Sequence, residues 1–294
     1  MLNLKPFLDI KYPPFLNGKY FDDYFSDYWS KQHFEGKDDV LFLDIFWCNV
    51  FHINNSAPDK MQELREYVHN ECKNAKDKKK FVFTICQWDD NICMPKPNNL
   101  IVYSMGTTND VTLPLIVEDK TSRLENIPKL SYNDKDILCS FIGTNTHNVR
   151  NMIYNALNHN SDFVFYMKNN WEINVNNNLV NLFINITQRS KFALAPRGYG
   201  PSSFRFFEVI QMDVIPIYVY DDVIALPFTD IIDYSKFSIV LHIKDILMLP
   251  KILKDINEIQ YQEMQKELQN VKYMFTMEGT CEYIKQDIIK KLQI

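Results

Sequence analysis

KFALAPRGYGPSSFRFFEVIQMDVIPIYVYDDVIALPF, Lys191 to Phe228, decides the fold. Lys191–Ala195 is a short apolar run with the length of a buried strand. Pro196-Arg197-Gly198-Tyr199-Gly200-Pro201 breaks it with two prolines and two glycines. Ser202 or Ser203 can then cap a helix that runs to about Met212. Val214–Val219 is a second strand, closed by Asp221 and Asp222. Strand, loop, helix and strand of this size form a βαβ crossover beside a ligand crevice.

The chemistry within this unit points to an anionic, hydroxylated ligand. Arg197 sits on a loop where the glycines, Gly198 among them, let backbone approach a ligand closely. The helix start offers free N–H groups and the positive end of its dipole, and both favour phosphate. Ser202 and Ser203 add hydroxyl donors at the same point. Arg205 and Glu208 are three residues apart and share a helix face. Arg205 suits a diphosphate, and Glu208 suits two ribose hydroxyls, a role acidic side chains play in dinucleotide sites. The same two residues also suit a plain helix salt bridge. Phe204, Phe207 and Ile210 are expected in the core.

This stretch resembles the donor-binding segment of the exostosin-type glycosyltransferases, which carry a similar P-R-G, S-F-R and E run, a strand with an Ile-Pro step and an L-P-F. Asp233–Val240, DYSKFSIV, continues the likeness. So does Cys139–Arg150, CSFIGTNTHNVR, with its phenylalanine–x–glycine loop and a helix opened by an arginine. The match covers most of Leu138–Leu253. Toward the N-terminus only Asp39–Trp47, Lys80–Asp90 and Asp110–Pro114 look similar. The resemblance implies a GT-B-like α/β fold of two Rossmann-like domains facing across a cleft. It also implies inverting transfer from a nucleotide sugar, mostly a UDP-sugar. Donor contacts are then Gly143, Arg150, Arg197, Gly198, Ser202, Ser203, Arg205 and Glu208. A general base is needed near the acceptor hydroxyl. It is expected from the first domain, with Asp89 preferred over Asp90, Asp44, His52 and Asp9.

Composition narrows the class. The 294 residues are 46% hydrophobic and 14% aromatic, enough for packed cores. Net charge is −5, and the one basic cluster, Lys76–Lys80, is interrupted by Asp77, so nucleic-acid binding is not expected. No apolar run approaches the roughly 18 residues of a membrane span. The N-terminus lacks a basic-then-apolar leader, which implies a cytoplasmic location. That departs from the Golgi-anchored members of the family. With the heavy use of Asn, Lys and Ile, it looks more like the stand-alone enzymes of large DNA viruses. Six cysteines form no C-x-x-C pair or zinc pattern and read as free thiols. Asn54-Asn55-Ser56 and Asn185-Ile186-Thr187 match the N-glycosylation pattern, which has no meaning without a secretory route.

Along the chain, strands are expected at Leu4–Ile10, Val40–Phe46, Lys80–Cys86, Leu100–Ser104, Ile137–Ile142 and Asp162–Met167, besides the two in the central unit. Helices are expected near Tyr20–Trp29, Asp59–Cys72, Arg150–Leu157, Leu179–Gln188 (helix or mixed), Asp245–Gln269 with a break at Pro250, and Thr280–Leu292. The aromatic rings of Tyr20–Trp29 are read as packing in preference to facing a sugar. The alternation implies parallel sheets. The expected domains are 1–133 on the acceptor side, 134–275 for nucleotide-sugar binding, and a C-terminal helix, 276–294, expected to pack back on the first. Asp134-Lys135-Asp136 has the D-x-D form of a manganese–diphosphate bridge, but it precedes a strand and reads as a solvated turn. No cofactor is required beyond the UDP-sugar substrate, a divalent metal being allowed but not expected, and the other partner is a glycan acceptor. Xylose is the leading sugar. The rivals are a GDP-sugar transferase of the fucosyl kind, whose loop reads Phe-Glu-Asn where this chain has Pro196-Arg197-Gly198, and a non-catalytic nucleotide-sugar-binding subunit.

Overall fold

The computed structural model describes residues 18–48, 58–169 and 177–292. The expected strand Leu4–Ile10, and the base candidates Asp9 and His52, lie outside them. The chain divides into two compact units, residues 1–118 with 276–294, and residues 119–275. The segment from Asp119 onward packs with the second unit, ahead of the expected division between residues 133 and 134.

In the first unit the sheet is parallel in the order β1-β2-β3-β4, with β1 Val40–Phe42, β2 Phe81–Cys86, β3 Leu100–Ser104 and β4 Val111–Thr112. β1 is shorter than the expected Val40–Phe46. Leu43 still donates to Phe83 O, but Ile45 N–H turns back to Leu43 O at 2.9 Å and ends the ladder. Helix α1, Phe21–Ser30, buries Phe21, Phe25 and Trp29. Phe21 stacks on Phe25, and Phe25 and Trp29 meet Phe42 and Phe83, with Trp29–Phe83 centroids 5.2 Å apart and Phe42–Phe83 4.9 Å apart. They are packing rings, as the sequence favoured. A second core joins Trp47, Val82, Leu100 and Val102 to Leu64, Val68 and Cys72 of α2, Pro58–Asp77, the crossover between β1 and β2.

The second unit is a five-stranded parallel sheet, ordered β6-β5-β7-β8-β9. Its strands are β5 Ile137–Thr144, β6 Phe163–Lys168, β7 Ser190–Pro196, β8 Ile215–Tyr220 and β9 Ile239–His242. Helix α3, Asn148–Leu157, links β5 to β6, α4, Asn177–Arg189, links β6 to β7, and α5, Phe204–Gln211, links β7 to β8. The chain starts in β5, steps to β6 on one side, then crosses to β7 and continues outward. Strand order therefore reverses between β5 and β7, where open α/β sheets place ligands at the carboxyl ends of the strands. Both units are the parallel α/β, Rossmann-like kind that a GT-B fold requires.

Two local expectations are corrected. In α5 the core residues are Phe206, Phe207, Val209 and Ile210, while Phe204 is 39% exposed. The helix begins at Phe204 itself, so that residue lies at the open first turn rather than over the sheet. Pro250 opens helix α6, Leu249–Asp255, instead of breaking one, because its missing N–H costs nothing in a first turn. The break falls at Asn257, where a capping box with Gln260 starts α7, Glu258–Val271. The last helix, α8, Met277–Leu292, packs on α1 of the first unit. Glu278 accepts from the Tyr24 hydroxyl, and Asp287 accepts from Tyr103 Oη of β3 at 2.6 Å. All six cysteines are free. Among the described residues no helix is long and apolar enough to cross a membrane.

Candidate functional site

The loops that leave the carboxyl ends of β5, β7 and β8 come together in the second unit. Arg150, on the first turn of α3, binds the ends of β5 and β7. Its Nε donates to Arg197 O at 2.9 Å, Nη1 to Thr144 O at 2.6 Å and Nη2 to Pro196 O at 3.3 Å. The guanidinium lies over the Phe141 ring, 5.5 Å from its centroid. Gly143 serves that stacking, since a Cβ there would come within 2.8 Å of the Phe141 ring. Burial, then the charge of Arg205, pushes Arg150 down to about 10. Among the described residues it has carbonyl partners but no carboxylate at ion-pair distance. A buried cation so placed favours an incoming anion.

Arg197 is more occupied than the sequence implied. Its Nη1 meets Asp221 Oδ1 at 2.8 Å and Asp222 Oδ1 at 2.7 Å, and Nη2 donates to Tyr199 O at 3.2 Å. Its Nε is buried and has no partner among the described residues. Burial alone would raise the Asp221 carboxyl, but the Arg197 hydrogen bond and charge outweigh it and hold it below its usual value. Arg205 and Glu208 do make the helix salt bridge, Nη1 to Oε2 at 2.8 Å, though without the alignment of a hydrogen bond. The Arg205 guanidinium stacks 3.6 Å from the Phe183 ring centroid. Burial lowers its pKa, partly countered by Glu208.

Ser203 takes the N-cap position of α5, yet its hydroxyl makes no capping bond. Ser203 Oγ, Ser202 Oγ and Thr146 Oγ1 are all buried without a hydrogen-bond partner among the described residues. Gly198 sits among these groups. A Cβ on it would lie 3.5 Å from Arg150 Nη2, 3.8 Å from Ser202 O and 3.9 Å from Thr146 Oγ1. Polar groups, three of them unsatisfied hydroxyls, thus collect on the loops beyond β5 and β7, where strand order reverses. Such orphaned groups call for a partner that the chain itself does not supply.

Tyr218 in β8 fixes the loops. Its hydroxyl donates to Pro201 O at 2.7 Å and accepts from Ala225 N at 3.1 Å. Sequence reasoning missed Thr146 and His147. His147 caps α3 by accepting from Val149 N. Burial, then Arg197, lowers its pKa, while Asp221 and Asp222 oppose that. The Thr-Asn-Thr-His run between a strand and a helix was the available signal. The D-x-D turn, Asp134-Lys135-Asp136, lies elsewhere: Asp134 accepts from Ser131 Oγ at 2.6 Å, and Asp136 pairs with Arg189.

In the first unit, Asp44, Asp89 and Asp90 lie in the loops beyond β1 and β2. Asp44 Oδ2 accepts from Ser26 Oγ at 2.8 Å. Gly106 packs against Asp89, where a Cβ would sit 2.8 Å from Asp89 Cα. Sequence reasoning overlooked Asp22, which looks like an ordinary first-turn helix acid. It is 4% exposed, and its Oδ2 has no hydrogen-bond partner among the described residues. Burial pushes its carboxyl up to about 7.

Residues 88–256 match the family described as the Exostosin GT47 domain, more than half of the chain. The exostosin-1 homolog of Caenorhabditis elegans is 26% identical over 206 residues, 62% of this chain and 54% of that protein. A probable glucuronosyltransferase 47 A of Physcomitrium patens is 39% identical over 83 residues, 28% of this chain and 18% of that one. The chain thus spans about half the length of the first of these relatives and less of the second. The apo structure of OtsA aligns with 70% of this chain and 60% of its own, at 9% identity and a TM-score of 0.42. On the family match, which takes in Arg150, Arg197, Arg205 and Glu208, the chain belongs to the exostosin GT47 family.

Proposed function

We propose that this chain is an inverting glycosyltransferase that moves a sugar, xylose as the leading candidate, from a UDP-sugar to a hydroxyl of a glycan acceptor. The observation that carries the donor site is the set of buried, unsatisfied hydroxyls of Thr146, Ser202 and Ser203 on the loops beyond β5 and β7, with an Arg150 that has no carboxylate partner among the described residues. The step breaks the bond between the anomeric carbon and the diphosphate oxygen while the acceptor oxygen attacks. It needs charge stabilisation on the leaving diphosphate.

Arg150 and the Thr146, Ser202 and Ser203 hydroxyls would bind that diphosphate. Arg197 would add its Nε, since Asp221 and Asp222 already hold Nη1. Glu208, already beside Arg205, would accept from the ribose hydroxyls. With these cations and the start of α5, the diphosphate charge is met without a metal. The base would be a first-unit carboxylate, Asp89 by preference. The buried free thiols support a reducing, cytoplasmic setting.

A ligand that binds only the folded protein raises its thermal midpoint in a concentration-dependent way. UDP should do so here, and more than GDP. Glu208→Ala should weaken UDP binding while leaving inorganic diphosphate binding nearly unchanged. Equal loss for both ligands would remove the ribose role.

A further inference from the structure

The amino edge of the second-unit sheet carries a separate cavity of about 230 Å³. It opens where β5, β7 and β8 begin, whereas the site around Gly198 lies where they end. Lys135, just before β5, lines it and is only 6% exposed. Its Nζ donates to Gln188 O at 2.8 Å and Ser190 O at 3.0 Å, carbonyls that orient the ammonium without neutralising it. Lys129 and Lys266 line the same space.

Among the described lining residues Asp213 is the one acid, and it is already engaged. Lys129 Nζ reaches its Oδ2 at 2.6 Å and Lys272 Nζ its Oδ1 at 2.7 Å. One carboxylate thus shares the cavity with three lining lysines, Lys129, Lys135 and Lys266, and positive charge remains in excess. Gln188 contributes a side-chain carbonyl oxygen that is buried and has no donor among the described residues. Excess cation calls for an anionic group, and an orphaned acceptor calls for a hydroxyl or N–H donor.

We propose that this cavity binds a small hydroxylated anion, a sugar-sized molecule with one phosphate or carboxylate group, independently of the nucleotide-sugar site. The anion sits among Lys135, Lys129 and Lys266, and a ligand hydroxyl donates to Gln188 Oε1. Nothing in this reading depends on transferase activity.

The test is calorimetric titration of the full chain, kept in saturating UDP so that the carboxyl-edge site is filled. The probes are glucose 1-phosphate and glucuronate, with glucose and inorganic phosphate as controls. The expected result is one site for at least one anionic sugar, and which of the two binds tells phosphate from carboxylate. Glucose should not bind, and inorganic phosphate should bind at least tenfold more weakly than the sugar phosphate. Lys266→Glu, a change on an exposed side chain, should weaken the anionic sugar about tenfold, the scale of one reversed charge at a half-open site. UDP affinity should not change. Lys135→Met checks the buried ammonium, with Lys266→Glu standing if that variant fails to fold. Absence of binding by both sugars overturns the proposal, as does binding indifferent to Lys266→Glu. Equal binding of inorganic phosphate and glucose 1-phosphate overturns the role of the hydroxyl.

Discussion

Gly198 lies at the proposed donor site, and its substitution separates binding from folding. A Cβ there would meet Arg150 Nη2, Ser202 O and Thr146 Oγ1 at 3.5 to 3.9 Å, which is ordinary contact. Gly198→Ala should therefore fold with a thermal midpoint within a few degrees of the parent, since the methyl forces no clash. It should nonetheless lose UDP binding by at least about tenfold, because the methyl fills the space a phosphate oxygen needs. Titration of UDP into the folded variant checks this. Asp22 gives a second test at this scale. Its carboxyl is raised to about 7 by burial, so the folded state holds its proton more tightly than the unfolded chain does. The folded protein should lose stability as pH rises from about 4 through 7, and that penalty persists above 7. Asp22→Asn removes the titrating group. It should flatten this part of the pH–stability curve and raise stability at pH 8 by a few kcal/mol at most. Urea unfolding at pH 5 and pH 8 measures the difference. A variant that follows the parent curve at both values would exclude Asp22 as its source.

At the scale of elements, most of the second unit was legible because its strands are short apolar runs closed by Gly, Pro or Asp. β7 and β8 fall within two residues of their expected ends. The helix face of α5 was not legible, because five apolar residues within eight fit more than one stripe, and only the start at Phe204 decides which side turns outward. The sequence pointed to Arg150 and Arg197 as candidate site residues but not to the carbonyls and carboxylates that hold them. Those partners come from β5, β7 and β8, far apart in sequence. Thr146 and His147 carry no apolar periodicity at all, so only the sheet topology brings them to the site. Tyr218 is the hinge of the argument between elements, since its hydroxyl joins the β7 and β8 loops. Tyr218→Phe leaves Pro201 O and Ala225 N without that partner, which should cost about 1–3 kcal/mol. It should also weaken UDP binding, as both loops lose their shared support. Denaturant unfolding alongside UDP titration reads the two effects, and a destabilised variant with unaltered UDP affinity would show that the loops hold their shape alone.

At the scale of the whole molecule, the chain returns to its first unit after completing the second. α8 supplies acceptors to Tyr24 and Tyr103, whose hydroxyls would otherwise lose them. A chain ended at Phe275 should show a lower and broader thermal transition, with loss concentrated in the first unit. Hydrogen exchange should find β2 and β3 less protected while β5, β7 and β8 keep their protection. At the carboxyl end of the second sheet a buried guanidinium and three orphaned hydroxyls lie on the loops where strand order reverses. Calorimetric titration with uridine, UMP and UDP tests the proposed donor site most directly. The account predicts one site per chain, with affinity rising at each added phosphate and falling at least tenfold for UDP when Arg150 is replaced by methionine in a folded variant. Uridine binding as tightly as UDP, or UDP failing to bind at millimolar concentration, would contradict it.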